Sequence, residues 1–88
     1  MQQTKAQLEA QQLIGLGILE AVNEAGDIGA PGGVLYAALM AHGASLSQYQ
    51  SFMLSLTSRN MLTTSGDIFY ITDAGQRLMT QLQQKFKH

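Results

Sequence analysis

Eighty-eight residues with 45% hydrophobic content suit one domain around a single modest core and exclude a disordered chain, which needs low hydrophobicity and high net charge. Only 12% of residues are charged, and five basic against six acidic side chains give a formal charge of −1. No global basic field draws in nucleic acid, and part of so apolar a surface is expected to meet another chain.

The first helix, about residues 4–25, is predicted to open on a capping box, Thr4-Lys5-Ala6-Gln7. There the threonine oxygen accepts from an early backbone N–H while Gln7 reaches back. Leu8, Leu13, Ile14, Leu16, Ile18, Leu19 and Val22 supply a broad apolar face, and Gly26 suits the stop. Gly15 and Gly17 lie inside it at a cost of about 1 kcal/mol each relative to alanine. Gly17, Ala21 and Ala25 fall four apart and form a small-residue groove that admits a close helix, from this chain or from a partner. The apolar run over residues 13–19 is too short to span a bilayer and is not a signal peptide of normal form, so a cytoplasmic protein with no membrane partner is expected.

Residues 27–33 (DIGAPGG) read as a loop, with Pro31 fitted to a first helical turn. Its glycines have neither the preceding strand nor the following Gly-Lys-Ser/Thr of a phosphate loop. The second helix, about residues 32–42, interleaves Val34, Leu35, Tyr36, Leu39 and Met40 with alanines and stops at Gly43. It is expected to be buried all round, which in a small domain puts the side bearing Tyr36 and Met40 under a partner. His42 near its end favours the helix dipole when protonated, and no nucleophile or carboxylate flanks it in sequence.

Ser45-Leu46-Ser47-Gln48 is a second capping box, so a third helix over about residues 46–59 follows a connection of about four residues, the tight turn of a helix-turn-helix. Leu46, Tyr49, Phe52, Met53 and Leu56 share its core side. Ser47, Ser51, Ser55 and Ser58 project opposite, with Gln48 and Gln50 at the edges and Leu54 among the serines. Asn60 tolerates the left-handed conformation that ends the helix. Two short strands around Ser65-Gly66-Asp67 make a ribbon over about residues 61–72 that must pack against the helices. Thr72 or Asp73 caps the last helix, about residues 73–86, with Leu78, Leu82 and Phe86 as its stripe and Arg77, Lys85 and Lys87 on its polar face. Gln2, Gln3, Gln81, Gln83 and Gln84 read as solvated helix faces.

The chain has no cysteine, which excludes a disulfide framework, thiolate chemistry and a Cys-based zinc site. His42 and His88 lack a metal-binding spacing. No paired carboxylates or nucleophile–base set can be assembled, so neither catalysis nor a cofactor or metal is expected; Asp67 and Asp73 serve as turn former and helix cap.

Two stretches carry a family likeness. Leu56-Thr57-Ser58-Arg59-Asn60-Met61-Leu62 resembles the Leu-x-x-Arg-Gly-Leu-Ile pattern, and Phe69-Tyr70-Ile71-Thr72-Asp73-Ala74-Gly75-Gln76-Arg77-Leu78 is similar to the Tyr-x-Leu-Thr-x-x-Gly-x-x-x-Leu signature, of bacterial and archaeal winged helix-turn-helix regulators. The likeness covers about residues 18–82, with asparagine in place of the usual glycine at Asn60 and a leucine three rather than four residues after Gly75. It implies a mainly α fold with a small β-hairpin, in the order α-α-α-β-β-α. It also implies a dimeric transcriptional regulator that sets its third helix in the major groove of duplex DNA. Carried across, the DNA-binding residues are Ser47, Gln48, Ser51, Ser55 and Arg59, with Thr63, Thr64 and Ser65 from the wing. The chain departs from that pattern where binding energy arises: the wing has no lysine or arginine, and Asp67 stands at its tip. The alternative is the same fold used for protein–protein contact or dimerisation without DNA, through Gly17, Ala21, Tyr36, Met40 and Leu54.

Overall fold

The computed structural model describes residues 4–86, so the expectations for Gln2, Gln3, Lys87 and His88 lie outside the described residues. The described residues are mainly helical, with four helices and a small three-stranded antiparallel sheet. Helix α1 (Lys5–Ala25) leads through a 3₁₀ turn (Gly26–Ile28) and strand β1 (Ala30–Pro31) into α2 (Gly32–Ala41) and α3 (Leu46–Ser58). Strands β2 (Leu62–Ser65) and β3 (Ile68–Ile71) then precede α4 (Asp73–Phe86).

Local chemistry sets these boundaries. Both capping boxes form: Thr4 Oγ1 accepts from Gln7 N–H at 3.1 Å while Gln7 Oε1 accepts from Thr4 N–H at 2.9 Å, and Ser45 and Gln48 repeat the pair at the same distances. Helices α2 and α3 stop alike. Ala44 N–H bonds the Leu39 carbonyl and Gly43 N–H that of Met40; Met61 N–H bonds Leu56 and Asn60 N–H bonds Thr57. This is the paired 6→1 and 5→2 closure of a helix end, and it demands a left-handed residue, here Asn60 at φ 60°.

Helix α1 is the spine of the core. Leu16, Ile18, Leu19 and Val22 are buried, packed with Leu35 and Leu39 of α2, Met53 and Leu56 of α3, Leu62 of β2 and Leu82 of α4. Its polar flank is laced to α4: Gln83 Nε2 donates to Glu20 Oε2 at 3.0 Å and Lys85 Nζ to Gln12 Oε1 at 2.7 Å.

Four expectations are corrected. Pro31 does not enter the helix but stands extended before it (φ −63°, ψ 137°), in a third strand that pairs Ala30 with Phe69 and Pro31 with Ile68. Its missing N–H is tolerated because β1 is an edge of the order β1-β3-β2. Helix α2 is not buried all round: Leu35 and Leu39 are, while Val34 is 63% exposed. Leu46 is 50% exposed, because it opens α3 about two turns ahead of the first buried residue, Met53. Leu8 and Leu13 also escape the core. Leu8 sits beyond the last packed turn of α1, in an open groove beside Phe52 and Leu78, and Leu13 turns toward α2.

Glycine tolerates substitution here according to what approaches it. A Cβ at Gly75 would strike the Met61 carbonyl oxygen, whereas one at Gly15 meets nothing within 4 Å. Gly75→Ala is therefore expected to destabilise by about 1–3 kcal/mol and Gly15→Ala to stabilise by about 0.5–1 kcal/mol. Thermal melting of the two variants should move in opposite directions.

Candidate functional site

The tight connection between α2 and α3 leaves the outer face of α3 open. Ser47, Gln48, Ser51 and Ser55 are all exposed, and they line one wall of a groove of about 600 Å³. The opposite wall is α1, through Gln7, Ala10, Gln11 and Ile14, with Phe52 shared beneath. The lining is amide, hydroxyl and hydrocarbon, and carries no charge. Periodicity within α3 finds its serine face but gives no hint that α1 stands opposite, so sequence reasoning misses Gln7 and Gln11 as part of this surface.

Gln48 is already employed. Its Oε1 accepts from Ser45 N–H, which holds the amide against the start of α3 and leaves it less free to turn toward a ligand.

The other residues expected to bind DNA do not converge on this groove. Arg59 is the C-cap residue of α3 and lines an adjoining groove with Gln12, Gly15, Leu78 and Leu82, which shares Ser55, Phe52 and Gln11 with the first. Thr63 and Thr64 are exposed on β2 and line neither groove, and the Thr64 hydroxyl donates to the Gly66 carbonyl at 3.0 Å. The described cations are Lys5, Arg59, Arg77 and Lys85, and Lys85 is engaged by Gln12 and lies 5.1 Å from the Phe86 ring centroid.

The hairpin tip is tied inward. Gly32 N–H donates to the Asp67 carbonyl at 2.8 Å, and the Asp67 carboxylate lies so close to Gly32 that a side chain there would collide with it. The arrangement places a negative group at the N-terminus of α2, where the helix dipole favours it. Tyr49 completes the contact: its hydroxyl donates to the Gly32 carbonyl at 3.0 Å and its ring packs on Tyr36 with centroids 5.3 Å apart. Burial, reinforced by the Asp67 carboxylate, pushes the Tyr49 hydroxyl above the ordinary tyrosine value.

The five residues expected at a partner interface fall on three surfaces. Gly17 and Ala21 are exposed and line an apolar trough of about 310 Å³ between α1 and α2, with Leu13, Ala38, Leu39 and His42. Ala25, the third member of that stripe, is half-buried. Tyr36 is occupied by Tyr49, and Met40, exposed, does not line the trough. Leu54 is 68% exposed among the α3 serines. Among the described residues no cluster of three His, Cys, Asp or Glu side chains is placed to hold a metal, and no helix is long and apolar enough to cross a membrane.

Two outcomes test this geometry. Ser45→Ala should cost about 1 kcal/mol of stability through the lost N-cap, read as a melting temperature lower by about 4–8 °C. The Tyr49 pKa is raised in the fold, so its contribution is complete below the unfolded value of about 10 and is lost as pH rises through the higher folded value. Denaturant stability should fall above about pH 10, and by less in Tyr49→Phe. Set beside known families, curated proteins and solved structures, the chain matches no family model, no curated protein and no solved structure.

Proposed function

We propose that the chain is a winged helix that works by protein contact rather than by docking on duplex DNA. The single observation that carries this reading is the character of its exposed surface. Ile28, Val34, Met40, Leu46 and Leu54 all stand in solvent, while the open face of α3 and the facing wall of α1 hold no charge. Apolar side chains exposed in this number, on a chain with so few charges, mark surface that lowers its free energy by covering itself. The winged-helix assignment rests on the order of elements, the two helix stops around a tight turn and the hairpin before α4.

A second reading, a DNA-binding regulator with α3 in the major groove, is favoured by one specific observation: Ser47, Ser51 and Ser55 stand exposed on α3, directly after the tight turn. Its weakness is electrostatic. Each phosphate neutralised contributes a salt slope of about −0.9, and Arg59 is the one cation on α3.

Titration of a labelled 30-base-pair duplex at several salt concentrations separates the two. Protein contact expects affinity no better than tens of micromolar at low salt, with a slope no steeper than about −2. Submicromolar binding with a slope near −5 would replace it with the DNA reading.

A further inference from the structure

We infer that the two adjoining grooves between α1 and α3 form one channel for the carboxyl-terminal segment of a partner chain. Its terminal carboxylate meets Arg59, and its apolar last side chain fills the hollow over Gly15. The inference rests on the protein-contact reading and gives it a surface and a kind of partner.

The grooves, of about 600 and 290 Å³, share Gln11, Phe52 and Ser55 and so run into one another. The walls of the larger are uncharged but polar. Gln7 and Gln48 each lend an amide oxygen to a helix cap. Among the described residues the side chains of Gln11, Ser47, Ser51 and Ser55 make no hydrogen bond. Amides and hydroxyls donate and accept alike, which matches a peptide backbone presenting N–H and C=O groups in turn. A plain hydrocarbon chain laid there would cover these groups without bonding them, at a cost in free energy.

The smaller groove differs in kind. Leu8, Leu19, Phe52, Leu56, Leu78 and Leu82 make it an apolar hollow, and Gly15 deepens it, since a Cβ there meets nothing within 4 Å. Gly17 is equally bare, in the trough beside α2, so an interior glycine does not by itself mark a site. What singles out the hollow of Gly15 is charge. Arg59 lines it, and no acidic side chain lines either groove. Among the described residues no ion pair or hydrogen bond engages the Arg59 guanidinium. Lys85 adds a second cation at the border through its bond to Gln12, which also lines the hollow.

A carboxylate is the planar anion that a guanidinium fork holds with two parallel hydrogen bonds. In the last residue of a chain the carboxylate and the side chain leave the same Cα, so cation and apolar hollow are reached together. The preceding residues then lie along the amide and hydroxyl walls. Capture of a terminal carboxylate in this way is an established mode of peptide recognition.

Calorimetric titration of the full chain with acetylated hexapeptides tests the assignment, the peptides alternating alanine and threonine and ending in valine, leucine or phenylalanine. The best of them should bind with a dissociation constant of roughly 50–500 µM, and its C-terminal amide at least tenfold more weakly. Arg59→Gln should erase the difference between acid and amide. Gly15→Leu fills the hollow and should weaken the acid at least tenfold without lowering the melting temperature, since the space around it is open. No binding at about 1 mM, an amide as tight as the acid, or a difference that survives Arg59→Gln would each overturn the inference. So would binding indifferent to Gly15→Leu, or decanoate binding as tightly as the best peptide, which would assign the hollow to an aliphatic acid. Failure of every peptide leaves protein contact standing on another surface, whereas a steep salt slope on DNA removes that reading whatever the channel binds.

Discussion

The fold turns on one corner, built around the hydroxyl of Thr72. That oxygen lies 2.7 Å from the Asn60 carbonyl and 3.0 Å from that of Met61, and it accepts the Gly75 N–H at 2.9 Å. A single hydroxyl, its one proton shared between the two carbonyls where α3 passes into β2, thereby also satisfies a free donor in the first turn of α4. The contact is possible only because Asn60 takes φ 60° and because Gly75 has no Cβ to meet the Met61 carbonyl. Three residue choices, twelve or more positions apart at the extremes, thus depend on one another. The two sequence stretches that resemble winged helix-turn-helix regulators are the two sides of this corner, which is why the resemblance speaks to architecture and is silent on ligands.

From that corner the hairpin is led back across the helices. Its tip places Asp67 beside Gly32 at the start of α2, where Tyr49 also bonds. The hairpin is therefore pinned by an acidic residue turned toward a helix N-terminus, an arrangement that favours stability. Gln48 shows the same economy. The one side chain on α3 best suited to read a base lends its oxygen to the cap that starts the helix. On both elements where nucleic-acid contacts are expected, a polar side chain, Gln48 on α3 and Asp67 on the hairpin, is engaged in holding the fold together.

What the surface offers instead is apolar area. Helix α1 buries one side in the core, binds α4 along a second, and leaves a third uncharged and open beside α2. In a chain with so few charges, that third side is where association costs least desolvation of charge. The proposed protein contact rests on the distribution of charge over the fold more than on any single residue.

The sequence by itself determined whatever is decided within about six residues: the two capping boxes, the stops at Gly43 and Asn60, the hairpin turn and the starts of α1, α3 and α4. These features are closed by hydrogen bonds between near neighbours, so residue type and spacing specify them fully. The same was true of the serine face of α3 and of exposed Leu54, which periodicity alone assigns. Tertiary structure decided the rest. Ala30 and Pro31 become a strand only because the β3 edge is there to pair with. Val34, Leu13 and Leu46 stay outside because a chain of this size has too few elements to cover them. Gln7 and Gln11 face the α3 serines because α1 runs past them. Burial and adjacency depend on which other elements arrive, and no local pattern carries that information.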